Sequence, residues 1–329
     1  MKSLLIFSHC ELIGDGMMKL PFINALHDAF PEVEVTWFSG RHPTIFATAL
    51  APVVDGKIHY IVNHSKLGDS LTDVLCKKWR MVLPQHAYDV ILDTEHKFLP
   101  TLMLKTIPHK RFISASMKWL LSDQKPKAPY ARPILLMNRL MDLLSVAVQR
   151  KIEPVFGVDV PSSYMDQARA LLPKGRTVLL APGAGGRFKC WSLQNFIDLG
   201  NRLILDGFNV AYILGPAETE WYDALHAGVK EALFPLQRTA EKSVYITIAL
   251  AKLADLSIAN DGGVGHILAS ADQPIISMWG PTDPLKSTPN GRNVHVICAR
   301  DVGSHSMEAL TVDMIYSKAK ALLQPSAHH

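Results

Sequence analysis

Short runs of hydrophobic residues alternate along the chain with stretches in which hydrophobic residues recur every three or four positions. In the first half, residues 4–7 form such a run and residues 17–30 carry the longer spacing. Short apolar runs between turn residues are typical of buried strands, and the longer spacing is typical of helices. Further strands of the first half are predicted at 33–38, 57–62, 89–92 and 110–114, and further helices at 42–50, 67–83 and 134–148.

The same alternation begins again after residue 176. The stretch from 253 to 284 reads most clearly, as a strand at 256–259, a glycine turn at 260–266, a helix at 267–271 and a strand at 274–279. Other strands of this half are predicted at 177–181, 209–214 and 294–298, and other helices at 192–205, from Thr219, at 243–253 and at 307–323. Ser192 is expected to cap its helix, because a serine hydroxyl can accept a free N–H of the first turn.

Two series of alternating strands and helices predict two α/β domains, each with a doubly wound parallel sheet. A chain of 329 residues also exceeds the usual size of one domain. The linker is expected near residues 151–162, where Pro154 and Pro161 interrupt the pattern. The predicted domains are therefore 1–160 and 161–329, Rossmann-like and facing each other across a cleft.

A basic, proline-rich segment at 125–133 precedes the strongly apolar helix 134–148. This helix could lie on a membrane surface or line an acceptor site. Alternatively it packs on the sheet or between the domains, which Asn138, Arg139 and Asp142 favour because they supply a polar side.

The overall composition excludes several classes of protein. Hydrophobic residues make up 48% of the chain and the net charge is only +4, an excess compatible with anionic substrates but too small to indicate nucleic acid. The four cysteines are far apart, as expected for reduced thiols in the cytoplasm. No run of 18 apolar residues predicts a membrane span, and residues 4–7 are too short for a signal sequence. No role is assigned to the terminal His328 and His329.

Two glycine-rich turns follow predicted strands in the second half of the chain. One contains Gly183, Gly185 and Gly186 before Lys189, and the other spans residues 260–266. Such turns at helix N-termini favour anions, and together with a lysine they suit a diphosphate. The alternatives are an ordinary turn capped by Asp261, and a solvated Lys189 whose stem covers apolar surface.

A single carboxylate, Asp15, lies between Gly14 and Gly16 after the first strand. It is either a general base or the cap of the helix predicted from Met17. The sequence has no convincing D-x-D motif or cysteine and histidine cluster, so no metal ion is expected.

Four motifs in order along most of the chain resemble glycosyltransferase family 9, whose best-known members are the ADP-heptose:lipopolysaccharide heptosyltransferases. They are I-G-D-G at 13–16 with the following K-L-P-F-I-N-A-L, P-G through Lys189 and Trp191, N-D-G-G-V-G-H at 260–266 and G-P-T-D-P at 280–284. The resemblance implies a GT-B architecture, an inverting mechanism without metal or other cofactor, and a sugar nucleotide held mainly by the C-terminal domain.

The resemblance also implies roles for individual residues, with Asp15 as the general base and Lys189 at the donor phosphates. Either Glu218 or Glu220 corresponds to a ribose-binding glutamate. The remaining implied donor residues are Gly183, Ala184, Gly185, Gly186, Asp261, Gly262, Gly263 and His266, and the implied acceptor-side residues are Gly14, Gly16, Asp93 and Glu95. Gly185, Gly186 and His96 depart from the family pattern and leave the sugar open.

The expected function is transfer of a sugar, a heptose from ADP-heptose, to a lipopolysaccharide-core or other glycan acceptor by a cytoplasmic enzyme. Peripheral contact with the inner membrane is compatible with this function. Two alternatives remain, a sugar-nucleotide epimerase on the same scaffold and a non-catalytic sugar-nucleotide-binding protein.

Overall fold

The computed structural model describes residues 1–324, so His328 and His329 lie outside the described residues. Contacts between Cα atoms divide the chain into two compact units, Met1–Val155 and a second unit that begins at Phe156. The division falls slightly before the boundary predicted at residue 160. Each unit contains one five-stranded sheet in which every pairing is parallel.

The first sheet has the strand order β3-β2-β1-β4-β5. Its strands are β1 (Ser3–Ser8), β2 (Glu34–Ser39), β3 (Tyr60–Val62), β4 (Tyr88–Asp93) and β5 (His109–Ser114). The helices of this unit are α1 (Ile13–Ala29), α2 (Ala51–Val54), α3 (Leu71–Leu75), α4 (Phe98–Lys105) and α5 (Leu136–Val148). The order reverses between β1 and β4, with β2 and β3 beyond β1 on one side and β5 beyond β4 on the other.

The second sheet has the order β10-β9-β8-β6-β7, which reverses between β6 and β8. Its strands are β6 (Thr177–Ala181), β7 (Asn209–Tyr212), β8 (Leu256–Asn260), β9 (Ile275–Trp279) and β10 (Val294–Cys298). The helices are α6 (Ser162–Leu171), α7 (Leu193–Leu205), α8 (Tyr222–Gly228), α9 (Val244–Leu253), α10 (Gly263–Ala269), α11 (Pro284–Ser287) and α12 (Val312–Leu323). The predicted fold class of parallel α/β sheets is thus confirmed.

Both sheets are buried by apolar side chains, and each unit has its own hydrophobic core. In the first unit the core includes Phe7, Trp79 and Phe112, and in the second it includes Trp191 and Phe196. Strands covered on both faces read as continuous apolar runs, which explains why the sequence predicted them well.

Several predicted helices are wrong in extent. Residues 42–50 contain only a short 3₁₀ turn at Ile45–Ala47, with α2 beginning after them, and residues 67–83 are broken at Lys77, whose φ of 48° is left-handed. The helix predicted at 267–271 begins earlier, at Gly263. The predicted cap of α7 is confirmed, since Ser192 Oγ accepts the N–H of Asn195 at 3.1 Å.

The helix predicted from 134 packs as α5 against α1 and β5, with Leu140, Leu143 and Leu144 buried. This agrees with the packing interpretation of that segment. Across residues 1–324, no helix is both long enough and apolar enough to cross a bilayer.

Candidate functional site

The carboxyl ends of β6 and β8 meet at the point where the second sheet reverses its strand order. Open α/β sheets bind ligands at such a point, because the loops after the two neighbouring strands leave a crevice between them. Here the loop after β6 holds residues 182–191 and the loop after β8 begins with Asp261. Two of the motifs singled out in the sequence therefore lie side by side.

Lys189 and Asp261 form an ion pair in this crevice. The Lys189 ammonium donates to Asp261 Oδ2 at 2.7 Å, and the Thr282 hydroxyl donates to the same oxygen at 2.6 Å. The Asp261 side chain is 7% exposed and that of Lys189 is 25% exposed. Asp261 is therefore not the helix cap that the alternative interpretation expected, and Lys189 is not a freely solvated side chain.

Asn260, the last residue of β8, joins the same two loops from beneath. Its Oδ1 accepts the N–H of Trp191 at 3.1 Å, and its Nδ2 donates to the carbonyl of Pro182 at 2.7 Å. Because Asn260 is fully buried, it fixes both ends of the glycine-rich loop to the strand. The loop that carries Lys189 is thereby held over β8.

The glycines of the two loops serve close packing, since no left-handed φ is needed at Gly183, Gly185, Gly186 or Gly262. A side chain at Gly183 would collide with the carboxylate of Glu218, and a Cβ at Gly262 would lie 3.0 Å from Ala184 Cα. Gly185 faces open space instead.

Glu218 lies nearer to the glycine loop than Glu220 does. Its carboxylate contacts Gly183 as described and accepts the N–H of Gly215 at 3.0 Å. Glu220 instead pairs with Arg187 on the outer side of the loop, and Arg187 stacks 4.8 Å from the Trp221 ring.

His266 is buried beneath the Lys189–Asp261 pair, on α10. Burial lowers the pKa of its imidazole to about 4, with Asp261 raising it and Lys189 lowering it. Its Nδ1 atom has no hydrogen-bond partner among the described residues. His266 is therefore neutral at physiological pH.

In the first unit, the loops after β1 and β4 meet at the corresponding reversal of strand order. The N–H of His9 donates to Glu95 Oε1 at 3.1 Å and joins the two loops. His9 is buried, and neither of its ring nitrogens has a partner among the described residues. Glu95 is half-buried at the edge of this crevice, which agrees with its predicted position after the end of a strand.

Asp93 is completely buried rather than presented to a substrate. Its Oδ2 accepts the hydroxyls of Thr101 at 2.6 Å and Ser114 at 2.7 Å, and its Oδ1 accepts the N–H of Glu95 at 3.0 Å. Burial raises its pKa to about 7, against these hydrogen bonds. The expectation that Asp93 faces an acceptor is corrected, because its polar contacts are with Thr101 of α4, Ser114 of β5 and the backbone of Glu95.

Asp15 is in the first turn of α1, which begins at Ile13 rather than at Met17. Its Oδ2 accepts the N–H of Leu12 at 3.3 Å, and the residue is half-buried. Gly14 lies in the same turn. Gly16 is buried, and a Cβ there would overlap side-chain atoms of Ile45 and Leu50.

A buried ion pair lies beneath the Asp15 turn. Lys19 Nζ donates to Glu11 Oε1 and to the hydroxyl of Ser8, both at 2.7 Å. The side chain of Lys19 is 5% exposed and that of Glu11 is 0% exposed, and Lys19 Nζ lies 5.6 Å from the centroid of the Trp37 ring. The attraction of Lys19 lowers the pKa of Glu11 against the effect of burial. This pair fixes the loop between β1 and α1.

Sequence reasoning missed Thr282, Asn260, Arg187, His9 and the Glu11–Lys19 pair. Thr282 and Asn260 belong to motifs that were recognised, and parallel neighbouring strands bring their ends together, so their strand-end positions were a usable signal. The pairing of Glu11 with Lys19 had a weaker signal, a lysine on the apolar part of a predicted helix and a glutamate in the loop before it. In residues 1–324, no three histidine, cysteine or carboxylate side chains are gathered as a metal site.

Comparison with known proteins assigns the chain to one family. The model of glycosyltransferase family 9 (heptosyltransferase) matches residues 77–313. The lipopolysaccharide heptosyltransferase 3 of Escherichia coli is 24% identical over 304 residues, covering 85% of this chain and 83% of its own length.

Solved structures of similar proteins share the fold over nearly the whole chain. The family 9 glycosyl transferase of Veillonella parvula has a TM-score of 0.73 at 15% identity, covering 98% of this chain and 97% of its own. The E. coli heptosyltransferase WaaC with ADP has a TM-score of 0.69 at 18% identity, covering 97% and 99%. These likenesses confirm the GT-B fold class, and the family match shows that the chain is a glycosyltransferase of family 9.

Proposed function

We propose that this glycosyltransferase transfers a heptose from ADP-heptose to a glycan of the lipopolysaccharide core. The observation that carries the proposal is the Lys189–Asp261–Thr282 cluster at the strand reversal of the second sheet. The names of the relatives support the donor and acceptor, since one is a lipopolysaccharide heptosyltransferase and another was solved with ADP.

The second unit is proposed to hold the donor. Lys189 provides a full positive charge for the diphosphate, at the edge of a loop in which Gly185 faces open space. A charged donor to a phosphate oxygen stabilises the leaving group as the glycosidic bond breaks. Glu218, which already lies against Gly183, is the better placed of the two glutamates to meet the ribose.

The first unit is proposed to provide the base. Direct displacement at the anomeric carbon inverts its configuration and requires the acceptor hydroxyl to lose a proton, which one carboxylate can accept. Asp15 is half-buried in the turn after β1 and is the candidate for this role. Charge on the leaving diphosphate is taken up by Lys189 in this proposal, and no metal ion participates.

The proposed transfer is tested by incubating the protein with ADP-heptose and a core oligosaccharide acceptor in EDTA. Mass spectrometry should find an acceptor heavier by one heptose, and NMR of the product should find the anomeric configuration inverted. A changed sugar nucleotide formed without acceptor would instead identify an epimerase. An intact donor that binds but never reacts would identify a binding protein.

The role of Asp15 is tested by Asp15→Asn, which is nearly isosteric and can still accept the N–H of Leu12. Loss of a base should lower kcat by about 10²-fold or more with donor affinity little changed. Loss of a cap alone would cost about 1 kcal/mol of stability. Steady-state kinetics and thermal melting separate the two, and turnover near that of the wild type would leave Asp15 as part of the helix start only.

A further inference from the structure

A basic cavity of about 800 Å³ lies in the first unit, between the proline-rich segment and the carboxyl half of α5. Four of its lining side chains are cations, namely Lys125, Lys127, Arg150 and Lys151. Cavities of this volume are in the range that accommodates small-molecule ligands, so it exceeds what a single inorganic anion would fill.

The positive charges of the cavity are mostly unpaired. Among the described residues, Lys125, Lys127 and Arg150 take part in no ion pair, whereas Lys151 pairs with Glu153 at 2.5 Å. The one carboxylate in the lining, Asp142, accepts the hydroxyl of Tyr130 at 3.0 Å rather than a cation. An excess of positive charge therefore faces the opening.

Hydrogen bonds hold both walls of this cavity. The Tyr130–Asp142 bond ties the proline-rich segment to α5, and the Tyr130 ring packs edge-on against Trp119 at 5.7 Å. After α5, the N–H of Ile152 donates to Ser145 Oγ at 3.1 Å and folds the chain back along the helix. The cations are thus carried on segments with defined positions.

The Arg150 end of the cavity lies away from the carboxyl edge of the first sheet, where Asp15 and Glu95 lie. Arg111, near the start of β5, donates to the carbonyl of Ala147 at 2.7 Å at the end of α5. Arg150 lies 5.8 Å from the ring of Phe30, which closes α1 at the opposite end from Asp15. These contacts place the Arg150 end of the cavity at the amino edge of the first sheet.

We propose that this cavity binds the phosphate ester of a polyol, as a site separate from the donor and acceptor sites. Lysine and arginine together suit a phosphate, since lysine supplies a point charge and arginine a planar pair of donors. The amides of Gln124 and Gln149, which also line the cavity, suit the hydroxyls of the polyol. The same chemistry is presented by a free phosphorylated polyol and by the headgroup of an anionic phospholipid.

The experiment uses the full chain and two probes of matched chemistry. Binding of glycerol phosphate is measured by calorimetry. Binding to vesicles that contain phosphatidylglycerol in phosphatidylcholine is measured by sedimentation. The test variant is Lys125→Gln with Lys127→Gln and Arg150→Gln. The matched control is Lys174→Gln with Lys230→Gln and Lys242→Gln, which removes the same charge from exposed positions of the second unit.

Binding of either probe should weaken in the test variant and not in the control. For vesicles the expected loss is about fivefold per cation, on the order of a hundredfold for three. Binding of vesicles alone assigns the site to a lipid surface, and binding of both probes assigns it to a phosphate ester of either source. Absence of binding by both probes, or equal losses in the two variants, overturns the proposal.

The outcome is independent of the proposed donor site. ADP titrated into the test variant should bind as it does to the wild type, because none of the three residues belongs to the second unit. Failure of the transfer assay would leave the result of the phosphate experiment unchanged.

Discussion

The ammonium group of Lys189 is not a free cation, because it forms an ion pair with the carboxylate of Asp261. A diphosphate at this position would share the ammonium with a carboxylate that is itself held by Thr282. Lys189 and Asp261 were both predicted as donor residues from their motifs. Their direct pairing was not predicted, since it depends on how close β6 and β8 bring the two loops.

Replacement of Lys189 by alanine is expected to weaken ADP binding. A charged hydrogen bond contributes about 1.5–3 kcal/mol, so affinity should fall by roughly ten- to 150-fold. Titration calorimetry measures this change, with Lys174→Ala as a control at an exposed lysine of the same unit. Equal affinities for wild type and Lys189→Ala would remove Lys189 from the proposed site.

Asp93 should make the stability of the protein depend on pH. Its pKa is raised to about 7 in the folded state, above the unfolded value of about 3.9, so the folded state holds the proton more tightly. Its contribution to the free energy of unfolding is therefore fully present below pH 4 and is lost as the pH rises to about 7.

Asp93→Asn should flatten this part of the pH dependence. Urea denaturation at intervals between pH 4 and 8 measures the slope, with Asp89→Asn as the contrasting carboxyl. Burial contributes little at Asp89, where hydrogen bonds from Lys110 and Lys2 lower the pKa to about 2. An unchanged slope in Asp93→Asn would show that Asp93 is ionised in the folded state throughout this range.

The burial of Asp93 could not be foreseen from the sequence, since a carboxylate that follows a strand can be either buried or exposed.

At the scale of elements, strands were predicted better than helix boundaries. Residues 177–181 are a strand in both sequence and structure, because a short, fully buried apolar run has few alternatives. Helices α1 and α10 begin earlier than predicted, at Ile13 and Gly263, within glycine-containing stretches that were predicted as turns. In both, glycine lies inside the first turn and allows close packing.

This packing gives a test of the contact between α10 and the Lys189 loop. Gly262→Ala would place a Cβ 3.0 Å from the Cα of Ala184, and backbone atoms cannot move aside as a flexible side chain can. We expect a stability loss of about 1–3 kcal/mol, typical of overpacking, and weaker ADP binding as the loop shifts.

Gly185→Ala is the matched control, since nothing lies within 4 Å of a Cβ there. Thermal melting should show the wild-type stability for Gly185→Ala, because the added Cβ meets no protein atom. Identical results for the two variants would mean that the loop does not depend on its contact with α10.

At the scale of the whole molecule, the repeated alternation in the sequence predicted two α/β units, and the structure has two parallel sheets with separate cores. The repeated reversal of strand order, which locates the crevices, could not be read from the sequence. The order of strands in a sheet depends on which face of the sheet each helix covers. The same hydrophobic pattern along the sequence is compatible with many strand orders.

The second unit is expected to fold alone. Residues 156–324 contain a complete sheet, its covering helices and one core, within the usual size of a domain. The isolated segment should melt cooperatively and bind ADP with an affinity close to that of the full chain, as calorimetry can measure. A folded segment that fails to bind ADP, when the full chain binds it, would contradict the assignment of the donor to this unit.

The buried bond between Lys19 and Glu11 also constrains how the sequence can change over time. Loss of either partner leaves an unpaired buried charge and costs about 3–5 kcal/mol, whereas replacement of both by apolar residues is often neutral. Most single replacements at either position should therefore be eliminated by selection. Among relatives that retain this loop, positions 11 and 19 are expected to vary together, either as two charges or as none.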